Sequence, residues 1–271
     1  MRIRKRLWAL TCCMLMIFLP TAQAAQPLES GTPMTLTTPS AILAETATDT
    51  VIFEKNADER REVASITKLM TALLVLEALD RDEIALTDSV QISPRAAAMK
   101  GSQALLDASA VYPLEDLLRT TIMASANDSA VALSEYIAGS EENFVDRMNR
   151  RAAELGMTNT NYVNCTGYPQ SGQYTTARDV CRLCCEIAKH PRYNQYASVW
   201  IDKLTHPSGR VTDLTNTNRL VRFYEGCDGY KTGSTDAAKY CLAATAEKNG
   251  MELIAPANPC WITASRHIAG W

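Results

Sequence analysis

The string Ser65-Ile66-Thr67-Lys68 opens the stretch that most constrains how this chain folds. Over residues 64–79 the apolar side chains of Ile66, Leu69, Met70, Leu73, Leu74 and Leu76 recur every three or four positions. That period predicts a buried helix, ended by Asp80 and Asp82. Ser65 then stands at the start of the helix, and Lys68 one turn on, facing the same way. A helix start carries unpaired N–H groups and a partial positive charge, so an anion forming beside Ser65 is stabilised there. A hydroxyl, an amine and N–H donors in one place are the parts of a nucleophilic serine centre. S-x-x-K occurs in many helices, however, so this reading needs partners elsewhere in the chain.

Two further strings supply them. Ser125-Ala126-Asn127 falls in the break between two predicted helices, 114–123 and 127–138, the first opened by Pro113, Glu115 and Asp116 and the second ended by Gly139. Lys231-Thr232-Gly233 precedes a strand-like run at 237–246, which Asn249-Gly250 turns back into a return strand at 251–255. The third string therefore sits on or just before a strand edge. There Thr232 and backbone groups can pair with an extended substrate, and Gly233 lets it approach closely. Residues 41–44 and 51–53, either side of a polar bend, predict a further hairpin. Residues 141–155 predict a helix stopped by Gly156, and Thr176 is the expected N-cap of another that closes at His190-Pro191. Residues 212–220 read as strand or loop.

The chain's 271 residues carry a formal net charge of −3. No basic field exists for nucleic acid, so substrate selection falls to a local pocket. Residues 1–24 read as a signal peptide: Arg2, Arg4, Lys5 and Arg6, an apolar run at 7–19, Pro20, and the A-x-A site Ala22-Gln23-Ala24. The apolar run, about 13 residues, is shorter than the roughly 20 a spanning helix needs. Export to an extracytoplasmic site is the expectation. Residues 25–40 read as a flexible segment and 41–255 as the folded domain. Nine cysteines are present, and Cys12 and Cys13 leave with the leader. The odd remainder, Cys165, Cys181, Cys184, Cys185, Cys227, Cys241 and Cys260, leaves at least one thiol free. Cys181, Cys184 and Cys185 fall at helical spacing and read as small core residues, not as zinc ligands. No metal or organic cofactor is expected.

Each motif residue takes one role in this reading. Ser65 attacks a carbonyl and forms an acyl-enzyme. Lys68 accepts the Ser65 proton, which requires it to be neutral part of the time; desolvation and a nearby cation, Lys231, favour that. Ser125 relays a proton to the leaving amine. Asn127 hydrogen-bonds the substrate amide or holds Lys68. The N–H groups of Ser65 and Ser234 form the oxyanion hole, and Lys231 and Thr232 bind a substrate carboxylate.

The S-x-x-K, S-x-N, K-T-G set in this order is that of penicillin-binding proteins and class A β-lactamases. Beyond the motifs, the chain closely resembles the D-alanyl-D-alanine carboxypeptidases of the S11 peptidase family. The resemblance rests on Phe53-Glu-Lys-Asn-Ala-Asp58, Ala64-Ser-Ile-Thr-Lys-Leu-Met70, Ser125-Ala-Asn-Asp-Ser-Ala-Val-Ala-Leu133, Leu155-Gly-Met-Thr-Asn159, Thr175-Thr-Ala-Arg-Asp179 and Asp228-Gly-Tyr-Lys-Thr-Gly233. It covers residues 40–255 and implies an α/β, transpeptidase-like fold: an antiparallel sheet with helices on both faces and an all-helical subdomain carrying Ser125. It also implies removal of the terminal D-alanine from peptidoglycan stem peptides ending in D-Ala-D-Ala, covalent trapping by β-lactams at Ser65, and no cofactor. Alternatives stay open: a D,D-endopeptidase, a β-lactamase, for which no E-x-x-L-N string is found, or a non-catalytic peptidoglycan-binding relative. Residues 256–271 depart from the family pattern. Pro256 and Pro259 are expected to break the last strand, leave an unpaired edge and weaken the sheet that carries the third motif. Membrane attachment is left undecided.

Overall fold

In the computed structural model, residues 36–248 and 251–258 are described. The chain enters the fold as a hairpin. β1 (Ser40–Glu45) pairs antiparallel with β2 (Thr50–Lys55), with a register shift at Leu43/Ala44. Of the segment expected to be flexible, residues 36–40 are tied to this hairpin: Lys55 Nζ donates to Leu36 O at 2.7 Å, and Asn56 Nδ2 donates to Pro39 O at 2.9 Å. The leader, residues 1–24, lies outside the described residues.

A single 3-10 turn, Ala64–Thr67, feeds α1 (Lys68–Asp80). The expected helix therefore begins with a tighter turn, and Ser65 lies in it. α1 is buried almost all round, with Leu69, Met70 and Leu73 at 0% exposure. The helical region follows: β3 (Ser89–Gln91), α2 (Pro94–Ala97), β4 (Val111–Pro113), α3 (Leu114–Met123), α4 (Asn127–Ala138) and α5 (Glu141–Glu154). It is not wholly helical, because β3 and β4 form a two-stranded ladder in which Val90 and Tyr112 pair and are both buried. Its helices begin and end where the local chemistry directs. Ser140 caps α5 by accepting from Asn143 N, and Gly139 closes α4 with a left-handed φ of 78°.

α6 (Ala177–Ala188) starts at its expected cap, where Thr176 accepts from Asp179 N at 3.1 Å. α7 (Arg192–Ala197), the hairpin β5 (Ile201–Thr205) and β6 (Val211–Thr215), and the short α8 (Leu220–Phe223) lead into β7 (Cys227–Thr235), β8 (Lys239–Lys248) and β9 (Met251–Asn258). The main sheet has the order β2-β1-β9-β8-β7, antiparallel throughout. α6 lies against β9, β1 and β8, while α7 and the Ser65 turn abut β7. Cys181, Cys184 and Cys185 are buried on α6. Arg151 of α5 ties Glu77 of α1 to Glu186 of α6, at 2.8 Å to each.

The strand expected to break at Pro256 continues to Asn258, and it lies between β1 and β8, not at an edge. The reason is visible in the ladders. Pro256 stands opposite Ala243 in an uninterrupted register with β8. On the β1 side the partners run Ala44↔Ile254 and then Ala41↔Ala257, so the ladder skips the stretch where proline offers no N–H. Pro259 and the turn at Asn249-Gly250 lie outside the described residues.

Candidate active site

The Ser65 turn is wedged between two glycines from distant parts of the chain. A Cβ on Gly167 would lie 1.8 Å from Ala64 O and 2.9 Å from Ser65 N. One on Gly233 would lie 2.7 Å from Val63 O and 3.0 Å from Ser65 N. Only residues without side chains allow these backbones to close on the Ser65 amide. Backbone strain marks all three motifs. Ala64 (φ 47°), Ser125 (φ 60°) and Tyr230 (φ 77°) occupy the left-handed region without being glycine. Ala64 and Tyr230 each precede a motif directly, and Ser125 belongs to one. Such conformations persist where the surrounding fold over-determines them, which is common at sites that must hold reactive groups in place.

Lys68 follows Ser65 by one turn, and its side chain is 1% exposed. Its Nζ lies 3.0 Å from Ser65 Oγ, 2.6 Å from Asn127 Oδ1 and 2.6 Å from Thr166 O. Asn127 Nδ2 donates to Lys100 O at 2.5 Å, which turns Oδ1 toward the lysine. Two of the three partners are carbonyl oxygens that can only accept. In neutral Lys68 they take the two N–H groups, and the lone pair faces the Ser65 hydroxyl. Burial pulls the lysine down to about 7, against smaller opposing effects of Cys165 and Asp128. A neutral amine is therefore well populated at neutral pH.

Asn127 opens α4 and is 5% exposed. Of the two roles expected for it, the structure shows the hold on Lys68. Ser125, 3% exposed, is not among the hydrogen-bond partners of Lys68 given by the described residues.

Lys231 is also 1% exposed, and its Nζ donates to Thr232 O at 3.1 Å. Burial first, and then the charge of Lys68, hold it well below the ordinary lysine range. This inverts the expected relation. Burial, not Lys231, lowers Lys68, and Lys231 is the partner that feels the repulsion. Thr232 Oγ1 donates to Thr217 Oγ1 at 2.8 Å. Ser234 is exposed, opposite Tyr240, and shares Thr232's side of the strand by parity. β7 is an edge of the sheet, as expected, and it packs against the Ser65 turn.

Sequence reasoning passed over the turn 164–167 and the loop 100–106. In the turn, Asn164 Oδ1 accepts from Thr166 N at 3.2 Å and Gly167 N at 2.7 Å, placing Thr166 O on Lys68. The pattern Asn-x-Thr-Gly was a readable turn signal. In the loop, Lys100 O orients Asn127, and the Cβ position of Gly101 lies 2.8 Å from Asn127 Nδ2; nothing local announced that.

Comparison with known proteins places these features in a lineage. The profile of the D-alanyl-D-alanine carboxypeptidase family, peptidase S11, matches residues 23–257. D-alanyl-D-alanine carboxypeptidase DacF of Bacillus subtilis is 41% identical over 242 residues, covering 89% of this chain and 62% of the relative. A D-alanyl-D-alanine endopeptidase of Escherichia coli is 32% identical, over 89% of this chain. The solved D-alanyl-D-alanine carboxypeptidase DacD from Francisella tularensis superposes with a TM-score of 0.83 at 27% identity, over 89% of this chain and 69% of that one. Penicillin-binding protein D2 from Listeria monocytogenes, solved in the ampicillin-bound form, superposes with a TM-score of 0.70 at 30% identity, over 84% of this chain and 92% of that one. The chain spans between 60% and 64% of the length of the carboxypeptidase relatives from Bacillus subtilis and Escherichia coli. With the family profile matched from residue 23 to residue 257, the chain belongs to the D-alanyl-D-alanine carboxypeptidase family, peptidase S11.

Proposed function

We propose that this chain is a serine-type D-Ala-D-Ala carboxypeptidase acting on peptidoglycan stem peptides. One observation carries the reading: Lys68 Nζ stands 3.0 Å from Ser65 Oγ, and its other two contacts are carbonyls. In this mechanism neutral Lys68 takes the Ser65 proton as Oγ attacks the carbonyl of the penultimate D-alanine. The oxyanion forms against the Ser65 and Ser234 N–H groups. Gly167 and Gly233, which carry no side chain, let the neighbouring backbones pack against the Ser65 turn and hold its amide in place. Collapse of the intermediate breaks the C–N bond, and the proton passes from Lys68 by way of Ser125 to the departing amine. Water then attacks the acyl-enzyme with Lys68 again as base, giving the shortened peptide and free Ser65.

Lys231 and Thr232 are assigned the terminal carboxylate. A carboxylate arriving beside Lys231 offsets the repulsion from Lys68 and the loss of solvent, so binding itself restores the ammonium. A β-lactam amide enters the same acylation and stays attached at Ser65. The ampicillin-bound relative supports that expectation. The similarity to an endopeptidase supports cleavage of cross-linked peptides as a second reading on the same machinery. Residues 1–24 support export, with action at the cell envelope. No helix among the described residues is long and apolar enough to cross a membrane.

The test is fluorescent penicillin labelling of the protein, with D-alanine release measured from monomeric and cross-linked muropeptides. A covalent band lost in Ser65→Ala, with D-alanine released from monomers, is the expected result. Folded protein that neither labels nor releases D-alanine would overturn the reading, and release of whole stem peptides from dimers alone would favour the endopeptidase.

A further inference from the structure

The aim of Lys68 depends on two carbonyls, and each is set by an irregular stretch of chain. Thr166 O lies in the turn 164–167, and Asn127 Oδ1 is turned by Lys100 O from the loop 100–106. Irregular backbone has no ladder of its own, so its polar groups must be held by something else. In both stretches that anchor is a buried carboxylate.

On one side, Glu141 is the first residue of α5 and is 6% exposed. Its Oε1 accepts from Cys165 N at 2.9 Å, next to the residue whose carbonyl meets Lys68, and its Oε2 is held by Arg95 at 2.5 Å. Cys165 O in turn accepts from Thr71 Oγ1 of α1 at 2.7 Å, which fastens the turn to the helix that carries Lys68. On the other side, Asp128 follows Asn127 in α4 and is 0% exposed. It accepts from Ala104 N at 3.0 Å, Leu106 N at 3.1 Å and Ser129 N at 2.9 Å. The same loop gives Lys100 O to Asn127 Nδ2 at 2.5 Å and Ser102 O to Asn127 N at 2.7 Å. The two sides repeat one device. Asp128 takes two backbone N–H groups of the loop 100–106 and Glu141 takes one of the turn 164–167, and each segment sets an acceptor of Lys68.

We propose that Asp128 and Glu141 are positioning residues for Lys68: each pins the segment that sets one of its two carbonyl acceptors, and together they aim its lone pair at Ser65. The inference deepens the proposed function and rests on it for the role of Lys68. A buried carboxylate suits this task because it accepts several N–H bonds at once, and charge-assisted bonds hold a loop more firmly than neutral ones. The charged groups around Lys68 are Asp128 from α4 and Lys231 from β7; the Cys165 thiol of the turn also faces it, with Glu141 and Arg95 one layer out. Asp128 has a second effect, since its charge favours the Lys68 ammonium.

The experiment compares wild type, Asp128→Asn, Glu141→Gln and Arg95→Met in the whole chain. Arg95 is half exposed, so its variant tests the Glu141 arm without a buried change. Two readouts are taken: the pH profile of the acylation rate constant with a fluorescent penicillin, and the titration midpoint of Lys68 by NMR of lysine-labelled protein, assigned by its loss in Lys68→Met. Asp128→Asn and Glu141→Gln are expected to slow acylation about tenfold to a hundredfold, as misplacement by up to about 1 Å does, and Arg95→Met about threefold. The Lys68 midpoint is expected to fall by about half a unit or more in Asp128→Asn, with the acid limb of the profile moving the same way. A purely structural role predicts a lower melting temperature with the midpoint unmoved and rates that track the folded fraction. That result, in variants that include the surface change at Arg95, overturns the proposal. If wild type fails to acylate while the midpoint moves in Glu141→Gln as well as in Asp128→Asn, the reading of function falls and the positioning of Lys68 stands.

Discussion

The two buried lysines invite comparison, since they are equally hidden from solvent and belong to one site. Lys68 rises from α1 among three hydrogen-bond partners: the Ser65 hydroxyl one turn back and two carbonyls from distant parts of the chain. Lys231 projects from an edge strand, and its Nζ donates to the carbonyl of the next residue. Burial depresses both, but what surrounds each amine differs, and so does the use proposed for it. An amine with its N–H groups already committed to carbonyls is a base with an aimed lone pair. A desolvated amine with one local contact is a receptor whose charge awaits an anion. Burial sets how strongly a lysine is perturbed, and the geometry of its acceptors sets what that perturbation is for.

Several experiments would break or sharpen this contrast. The largest effect belongs to Ser65→Ala, which should leave less than about one-thousandth of the acylation rate in a folded protein. Next come the lysines themselves. Lys68→Met should lower acylation about 10²- to 10⁴-fold for every substrate, since it removes the base. Lys231→Met should act chiefly through KM, and more on peptides with a free C-terminal carboxylate than on their amides. Steady-state kinetics with such a pair of substrates checks both, and equal losses from the two variants would erase the distinction. Gly167→Ala should cost about 3 kcal/mol or more in denaturant unfolding, because its Cβ would stand 1.8 Å from Ala64 O at a φ of 76°. Gly233→Ala, with a negative φ and looser contacts, should cost less.

Smaller effects lie in pH and in single bonds. Acylation should rise with pH through about 7, as Lys68 loses its proton. The same depression links to stability. Between about 7 and the ordinary lysine value of 10.5 the unfolded chain holds a proton that the folded chain has lost, so Lys68 makes stability rise with pH across that window. Urea midpoints measured from pH 7 to pH 10 should climb less steeply in Lys68→Met than in wild type. The smallest change is expected from Thr217→Val, which removes the bond to Thr232 Oγ1 and should cost about 1 kcal/mol.

How far the fold could be read depended on the range of the interaction involved. The helix after Ser65, the cap at Thr176, the stop at Gly139 and the hairpin of β1 and β2 rest on near neighbours, and each stands where the local pattern put it. The rule that proline ends a strand misled at Pro256. Whether a missing N–H matters depends on which ladder it faces, and that is decided by β1, more than two hundred positions away. The site followed the same division. Ser65 and Lys68 were legible as a pair because one helical turn joins them. Thr166, Gly167 and Lys100 were not, because they meet the site only after distant segments fold together. Asp128 and Glu141 looked like ordinary acidic residues in the first turns of helices, and only their burial against backbone N–H groups sets them apart.

The sequence by itself determined the chemistry available: a serine and a lysine one turn apart at the head of an apolar helix, an amide at the start of another, and a lysine beside a glycine on a strand edge. Spacing along a regular element is a local property, and local properties survive in one dimension. The tertiary structure alone decided the protonation of those groups and the direction in which they point. Both lysines are ordinary in sequence, and the roles of base and anion receptor proposed for them rest on packing, which removes water from both and brings two distant carbonyls to 2.6 Å of Lys68 but only the neighbouring Thr232 carbonyl, at 3.1 Å, to Lys231. A pKa and a hydrogen-bond direction depend on dielectric and on neighbours far along the chain, so neither exists until the chain has closed around them.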